Sequence, residues 1–436
     1  MDVITHVLGT GLLLVWLAGV SFLVVRGRAT ELALVAISTG VLQWPLMAVF
    51  SSLRLEYLTD ISVWGVLLLA AKAGIPMLRR RALATAFALA ALFALAMVGR
   101  GLFVDVQPAL QASRQFLVPP ALTVAGILLK DRIDWRRVMQ VTAVWGLVVS
   151  VYMIVEKVTG RPPINPVNIM VSAAGGDRGI LRAGLPSAYW ADGIGRSPWF
   201  RPGGLFFNPP IAGIFLGTAT YAALRILVGW RRWLVAVASA LAATLAVARA
   251  GMVMIALVIV VPPAVSVVRR WPRAAQIGTL AVGGFLAITI GLTVSSEGNT
   301  GAHASGLVEG LKVALRHPFG TGFGTQGYFA ASAGLKGVGS GESWLGVFIA
   351  STGLIGLLLV AIGVVGAMWI AWQAPHALLR PAALPVTAVA VAAVTESAGA
   401  LRGTSAMWLL LGDALALTVP PLIARRSVSV SGLERG

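Results

Sequence analysis

The sequence predicts an all-α fold, a polytopic bundle of about 12–13 transmembrane helices with two long loops on the outer face of a membrane. Of the 436 residues, 58% are hydrophobic and only 11% are charged, whereas soluble domains carry about 25% charged residues. Apolar runs of roughly 20 residues recur along the chain, and no alternating segments typical of a transmembrane β-barrel are seen. Because backbone polar groups in lipid must be satisfied within a segment, we expect helices.

About thirteen candidate spans can be placed, each near the length of one helical crossing. Two of them, 116–129 and 382–400, show the pattern least clearly, and the first contains Pro119 and Pro120. The candidates are 7–25, 31–50, 61–78, 82–99, 116–129, 138–156, 209–228, 233–248, 251–268, 275–294, 344–370, 382–400 and 404–423.

Spans and loops divide the chain into N-terminal helices, a first outer loop, central helices, a second outer loop, and C-terminal helices with a short cytoplasmic tail. In the second loop, Leu307, Leu311 and Leu315 recur every four residues within HASGLVEGLKVALRH. This spacing predicts a short amphipathic helix, which we expect to rest on the membrane surface. The five segments are 1–156, 157–208, 209–294, 295–341 and 342–436.

The net charge of +18 is distributed in a way that predicts topology. The basic clusters RGR, RRR, KDRIDWRR, GWRRW and RRWPR fall in short loops on one side, which the positive-inside rule makes cytoplasmic. The N-terminus is then outside and the C-terminus inside, and the first apolar run is expected to be a retained span rather than a removed signal peptide. Nucleic-acid binding is excluded because the basic residues form no stripe beside an aromatic platform.

Two arginines near apolar runs are the strongest candidates for a functional site. Arg201 opens RPGGLFFNPP immediately before an apolar run, and Arg249 lies inside LAATLAVARAGMVMIALVIV. Charges near hydrocarbon are costly and are candidates for function. Two guanidinium groups could hold a diphosphate through charge-assisted bonds. The alternative for Arg201 is a side chain that snorkels to lipid headgroups.

The residues that follow Arg201 predict the start of a helix. Gly203 and Gly204 allow close approach of the backbone, and Asn208 is a candidate N-cap that could also contact an anion at the helix N-terminus. The two prolines after Asn208 are tolerated in a first turn.

A glycine-rich segment, HPFGTGFGTQG at 317–327, contains the pattern GxGxxG. A dinucleotide site would need a βαβ unit around it, and this context predicts none. We expect a tight turn that lines a substrate groove, with the preceding basic residues as further binding candidates. The candidates in and beside this turn are Arg316, His317, Gly322 and Gly324.

Four other ionisable residues lie near or within the C-terminal spans. Glu342 is expected at the outer start of a helix, either as a base or positioning group for a sugar hydroxyl or as a helix cap. Glu396, Arg402 and Asp413 are expected mainly to pair with opposite charges, and Arg402 is also a candidate for substrate binding.

Metal and cofactor chemistry is not predicted. The chain has no cysteine, its four histidines show no ligand spacing, and its outer-face acids form no DxD pair. We therefore expect no bound metal and no cofactor, with arginines neutralising substrate charge.

Three segments resemble the O-antigen ligase and O-antigen polymerase superfamily of membrane glycosyltransferases. RPGGLFFNPPIAGIFLG is similar to the family's Arg-x-x-Gly-x-Phe-x-x-Pro-Asn segment, and VARAG is similar to its Ser-Arg-Gly segment. HPFGTGFGTQG followed by GESWLGVFIASTGLIGLLL resembles its glycine turn and following helix. The resemblance covers roughly residues 195–370. Each motif is short, and the order and spacing of the motifs make the match specific.

The resemblance implies a GT-C-like fold in the bacterial inner membrane and metal-independent, inverting glycosyl transfer at its outer face. The donor would be a polyprenyl-diphosphate-linked glycan, and the acceptor a glycan or lipid-linked glycan. Arg201 and Arg249 would bind the donor diphosphate and stabilise the leaving group. Other polysaccharide assembly proteins are candidate partners, alongside the lipid bilayer.

Departures from the family pattern affect the predicted reaction. Asn208-Pro209-Pro210 replaces Pro-Asn, Ala248 replaces the serine before arginine, and Glu342-Ser343 stands where ligases carry His-Asn. The missing histidine favours a polysaccharide polymerase over a ligase.

Two other function classes stay open at this point. A transporter or flippase of an anionic lipid-linked sugar would use charges along a path, for which Lys72 and Asp413 are the best candidates. A polymerase of the shape, elongation and division family is similar in helix number only.

Overall fold

The structure, a computed structural model, describes most of the chain as helix. The described residues are 3–76, 81–173, 181–182, 184–191, 199–272, 275, 301–327, 330, 334 and 343–418. The structure is 82% helical and contains fourteen α-helices within these ranges, which confirms the predicted helical class.

Most of the helices follow one another along the chain with short connections. They are α1 (Val3–Val25), α2 (Ala29–Phe50), α3 (Leu58–Gly74), α4 (Arg81–Leu102), α5 (Val106–Leu128), α6 (Trp135–Thr159), α7 (Val167–Ala173), α8 (Pro209–Ile226), α9 (Trp230–Leu245), α10 (Arg249–Val268), α11 (Gly301–Arg316), α12 (Trp344–Gln373), α13 (Leu379–Val394) and α14 (Leu401–Thr418).

Seven helical segments among the described residues are long and apolar enough to cross a membrane, which is compatible with a multi-pass membrane protein. Many of their large apolar side chains face outward, for example Val15 at 70% exposure and Leu95 at 68%. Outward apolar faces are typical of helices surrounded by lipid. The seven segments are Val7–Val25, Ala29–Phe50, Ala84–Leu102, Trp135–Thr159, Arg249–Val268, Trp344–Gln373 and His376–Ala393.

Each predicted span that the structure describes overlaps a helix, but two differ clearly from the prediction. The helix expected at 382–400 ends at Val394 and is followed by a 3₁₀ turn at Glu396–Gly399, and the helix expected at 116–129 begins much earlier. The helix expected at 116–129 begins at Val106, where the Asp105 side chain accepts a hydrogen bond from Gln107 N at 3.0 Å. Its first turns contain polar residues that lower hydropathy, and Pro119 and Pro120 lie within the helix. The span predicted at 275–294 lies outside the described residues apart from residue 275.

Helix α8 lies at the centre of the bundle. Every residue from Ile211 to Leu224 is buried, and α6, α9, α10 and α14 all contact this helix. Helices α8 and α10 can approach closely because both carry glycine at their contact. A Cβ on Gly251 of α10 would lie 2.5 Å from main-chain atoms of Gly213 in α8. The RPGGLFFN segment therefore leads directly into the centre of the fold. We call the end of the bundle at which α8 begins the Asn208 end.

The first long loop connects α6 with α8. Helix α6 continues to Thr159, so the predicted boundary at 156 falls within its last turn. The loop contains α7 and two short antiparallel pairs, β1 (Leu181–Arg182) with β2 (Leu185–Pro186) and β3 (Trp190–Ala191) with β4 (Trp199–Phe200). The pairing of Trp190 with Phe200 brings the residue before Arg201 beside the preceding part of the loop.

The amphipathic helix predicted in the second long loop is confirmed as α11. It packs along the first part of α12, where Gly310 and Gly346 let the two backbones approach closely. One face of α11 is buried against α12, and the expectation that α11 rests on the membrane surface stays a prediction. Helix α12 is interrupted at Gly353, which has a φ of 68°.

Candidate functional site

Arg201 is held at the turn between α9 and α10. Its guanidinium Nε donates to Ala246 O at 2.9 Å and Nη2 lies 3.4 Å from Val247 O. Its main-chain nitrogen donates to Tyr189 O at 2.7 Å. Since the last carbonyls of a helix lack partners within it, Arg201 serves as a cap for α9.

Arg249 begins α10 and lies two residues after Val247, whose carbonyl Arg201 contacts. Its main-chain nitrogen donates to Val247 O at 3.1 Å, and its side chain is half-buried. The structure therefore brings the guanidinium of Arg201 to the turn that leads into Arg249. The sequence predicted that these two residues act together, and their segments do meet.

The turn between α9 and α10 contains backbone strain. Val247 has a φ of 50°, in the left-handed region that a β-branched residue rarely adopts. Such a conformation costs about 1–3 kcal/mol and persists only where the surroundings enforce it. Here the left-handed conformation of Val247 places the Ala246 and Val247 carbonyls beside the Arg201 guanidinium group. Arg249 then begins α10 two residues later.

Two consecutive residues of α6 hold the loop on both sides of Arg201. Glu156 is 0% exposed, and its Oε2 accepts from Gly204 N at 2.8 Å. Lys157 Nζ donates to Phe200 O at 2.7 Å and lies 3.6 Å from the centre of the Trp199 ring. The last turn of α6 therefore anchors Phe200, the residue before Arg201, and Gly204, three residues after it.

Glu156 is one of the acids expected on the outer face, and no motif in the sequence indicates a role for it. The signal was available, since a carboxylate inside an apolar helix needs a partner. Its partner is a main-chain N–H group, which no pattern of side chains reveals. The loop side of this contact includes Tyr189, where burial, together with the nearby Glu156 carboxylate, raises the pKa well above its usual value.

The RPGG segment is a compact turn that ends in a capped helix. Gly204 has a φ of 61°, and a Cβ on Gly203 would lie 2.8 Å from the carbonyl carbon of Phe207. The Asn208 side-chain oxygen accepts from Ile211 N at 3.1 Å, which confirms the predicted N-cap of α8. A contact of Asn208 with substrate stays a prediction.

The glycine turn at 317–327 is confirmed as tight, and its glycines have a structural reason. The main-chain nitrogens of Gly322 and Phe323 donate to Ser351 O and Met97 O, both at 3.0 Å. Gly322 has a φ of 100°, and a Cβ there would lie 2.7 Å from Gly101 N. Gly324 is likewise buried, with a φ of 82° and its backbone against Ala109. Packing against α4, α5 and α12 thus accounts for both glycines, and a role in lining a substrate groove stays a prediction.

The remaining candidates of the second loop lie apart from this packing. Arg316 and His317 are exposed at the end of α11. Glu342 lies outside the described residues, so its proposed catalytic role stays a prediction. The N-cap of α12 is Ser343, whose side chain accepts from Gly346 N at 3.1 Å.

The acidic residue deepest in the C-terminal spans forms an ion pair. Asp413 Oδ2 lies 2.5 Å from Arg225 Nη1, and the same Nη1 lies 3.1 Å from the Tyr221 hydroxyl. The predicted pairing of Asp413 is therefore confirmed. Lys72, the other residue cited for a transport path, is exposed at the end of α3.

Glu396 lies in the short connection between α13 and α14, and Arg402 lies in the first turn of α14. Glu396 O accepts from Gln115 Nε2 at 2.9 Å, which joins this connection to α5. The Arg402 guanidinium lies 4.5 Å from the centre of the Trp44 ring. Both residues lie near the Asn208 end, because the 3₁₀ turn at 396–399 contacts α8 and Gly403, next to Arg402, packs against Ile211 in the first turn of α8.

Within the described residues, no three histidine, aspartate or glutamate side chains form a group that could hold a metal ion. Neither a scan of protein-family models nor a search of curated proteins finds a match to this chain.

Proposed function

We propose that this protein is a membrane glycosyltransferase of the GT-C type, which transfers or polymerises polyprenyl-diphosphate-linked oligosaccharide at the outer face of the cytoplasmic membrane. The position of Arg201 supports the proposal most. Residues on both sides of Arg201 are bound by α6, and its guanidinium group contacts the turn that immediately precedes Arg249. Two arginine segments meet where an apolar bundle ends. Such an arrangement suits a donor with a charged diphosphate and a long hydrocarbon tail.

The order of events in this proposal follows from charge. An acceptor hydroxyl attacks the anomeric carbon from the side opposite the diphosphate, while the bond between that carbon and the diphosphate oxygen breaks. The hydroxyl proton passes to a base, for which Glu342 is the candidate. Negative charge then grows on the departing diphosphate. Arginine donors that tighten on those oxygens in the transition state would accelerate transfer, and fixed donors need no reorganisation at that moment.

Preorganisation is the specific contribution of the contacts around Arg201. The Nε and Nη2 bonds to Ala246 and Val247 orient the plane of the guanidinium group. The clamp by Glu156 and Lys157 keeps the loop in place. Holding a catalytic donor within a fraction of an ångström is worth orders of magnitude in rate.

Polymerisation is the preferred form of the reaction. The sequence has Glu342-Ser343 where the ligases carry His-Asn. An acceptor-activating histidine at this position is therefore absent from the chain, which supports a different acceptor from that of the ligases.

The experiment that tests the proposal is reconstitution of the full chain in liposomes with a polyprenyl-diphosphate oligosaccharide. A ladder of products identifies a polymerase, and a single addition identifies a ligase. Movement of the labelled lipid-linked sugar across the bilayer without transfer would identify a flippase and contradict the proposal.

Arginine variants then connect activity to the site. Replacing Arg201 or Arg249 with alanine should lower the transfer rate by about 10²–10³-fold, the usual loss when one fixed donor to a developing oxyanion is removed. Arg231→Ala is the matched control, since Arg231 is exposed near the start of α9, at the other end from its cap. Equal rates for wild type and both site variants would refute the assignment of the site.

A further inference from the structure

Lys157 lies in the last turn of α6, next to the segment that carries Arg201. Its Nζ donates to Phe200 O at 2.7 Å and lies 3.6 Å from the centre of the Trp199 ring. These contacts hold the ammonium group against the loop, whereas a lysine that only snorkels extends toward lipid headgroups. The Lys157 side chain is half-buried, so part of it stays accessible.

The Lys157 ammonium group has hydrogen-bonding capacity that its protein contacts do not use. An ammonium group carries three N–H donors and no acceptor. One donor is bound to Phe200 O, and the Trp199 ring covers the group on another side. At least one donor is therefore left for a ligand.

No acid neutralises this lysine within the part of the chain that the structure describes. Lys157 forms no ion pair there, and the carboxylate of the preceding residue, Glu156, accepts from Gly204 N instead. A half-buried cation without an acidic partner loses hydration that no opposite charge replaces. The ammonium group therefore favours an anionic ligand.

Trp199 connects the ammonium group with the residues that hold Arg201. The indole Nε1 donates to Leu245 O at 3.2 Å, and the carbonyl of the following residue, Ala246, accepts from Arg201 Nε at 2.9 Å. The same indole ring lies against Lys157 Nζ. Along these contacts, one indole ring separates the ammonium group from the carbonyls at the C-terminal end of α9. The lysine and the arginine are therefore held by adjoining contacts at this end.

We propose that Lys157 is a third cation of the candidate site and binds one phosphoryl group of the lipid-linked diphosphate, beside the phosphoryl group bound at Arg201. This inference rests on the proposed function for the identity of the ligand. A lysine ammonium is a compact charge on a flexible stem, whereas two carbonyls fix the Arg201 guanidinium group. Lys157 can therefore follow the phosphoryl oxygens as the diphosphate departs.

Binding of inorganic pyrophosphate to the purified full chain in a neutral detergent tests this site without any transfer reaction. Wild type should bind pyrophosphate more tightly than inorganic phosphate, because two phosphoryl groups contact two cations. Lys157→Met keeps an apolar stem but removes the charge, so pyrophosphate binding should weaken by at least about tenfold, the loss of one charge-assisted bond. Lys157→Arg should retain most of the binding. Arg161→Gln is the control, because it removes one exposed positive charge from the loop after α6.

The ratio of the two affinities separates a ligand contact from a loop clamp. A looser loop would weaken the binding of phosphate and pyrophosphate alike, whereas loss of a direct contact lowers the preference for pyrophosphate. The proposal is overturned by an absence of pyrophosphate binding to wild type, by equal affinity for both anions, or by an unchanged preference in Lys157→Met. Thermal unfolding checks that each variant is folded. If Lys157→Met does not fold, Lys157→Gln removes the charge and keeps an N–H donor for Phe200 O.

Phospholipid headgroups are the other source of phosphoryl groups near this lysine. The same binding is therefore measured in nanodiscs of phosphatidylcholine and of phosphatidylglycerol. The effect of Lys157→Met on pyrophosphate binding should appear in both. Loss of that effect in phosphatidylglycerol alone would show that a lipid headgroup occupies the lysine, and would overturn its assignment to the donor.

The liposome assay separates this inference from the proposed function. Pyrophosphate binding that depends on Lys157, without any transfer by the wild type, would refute the transferase but retain the anion site. Transfer with an unchanged donor KM in Lys157→Met would refute the role of Lys157 and retain the transferase.

Discussion

Glu156 accepts a hydrogen bond of 2.8 Å from the main-chain nitrogen of Gly204, three residues after Arg201. The carboxylate is fully buried, and the adjacent Lys157 binds the carbonyl of Phe200, the residue before Arg201. A single helical turn therefore controls where Arg201 lies. The position of Arg201, which the sequence marks as a candidate, therefore depends on Glu156, which no sequence motif marks.

Glu156 should act as a positioning residue. Glu156→Ala leaves the Gly204 N–H group without its acceptor, which costs about 1–3 kcal/mol. Glu156→Gln keeps an acceptor oxygen of the same reach. We expect the alanine variant to lose most of kcat with little change in the donor KM, and the glutamine variant to recover most of it. Steady-state kinetics in liposomes measures this, and equal kcat for both variants would contradict the role.

Strain at Val247 should be separable from function. Val247→Gly removes the steric cost of a φ of 50°, so we expect a higher Tm by thermal unfolding. The glycine backbone also frees the two carbonyls that orient Arg201, so we expect a lower transfer rate. Val247→Asn tolerates the left-handed region and is the control that should retain the rate. A glycine variant with unchanged rate would show that the strained turn does not position Arg201.

The Arg225–Asp413 pair should contribute to stability and not to transfer. Asp413→Asn or Arg225→Ala leaves one partner of a buried ion pair unmatched, which costs about 3–5 kcal/mol. The double variant Arg225→Met/Asp413→Leu should recover stability, since apolar groups replace both charges. Thermal unfolding tests the stability, and the rate per folded molecule tests transfer. Loss of bilayer crossing by a sugar lipid in the stable double variant would instead support a transport path.

The glycine turn should be intolerant of a methyl group. Gly322→Ala places a Cβ 2.7 Å from Gly101 N and strains a φ of 100°. We expect a clear fall in Tm, because the nearest atoms are the backbone of Gly101 and Arg100 and the Arg100 Cβ, which cannot move aside. Gly363→Ala is the matched control, since a Cβ there has open space and the residue lies in α12. If both variants unfold at the wild-type temperature, the turn is not the packed element described above.

Much of the fold could be predicted from local patterns. The helical segments follow from long apolar runs, and the start of α8 follows from Asn208 and two prolines. Each depends on residues close in the chain, so a sequence window contains the whole signal. The late start predicted for α5 was wrong for the same reason, because the polar residues Arg114 and Gln115 contact partners outside α5 rather than lipid.

The sequence by itself determined that this chain forms apolar helices and that Arg201 and Arg249 lie at helix boundaries. Only the tertiary structure decided which distant groups meet: the Ala246 and Val247 carbonyls on Arg201, the Glu156 contact to Gly204, and the Arg402 guanidinium over the Trp44 ring. These contacts join residues from 45 to more than 300 positions apart, many through main-chain atoms. Main-chain groups are the same at every residue, so their partners depend on how helices pack and not on side-chain patterns.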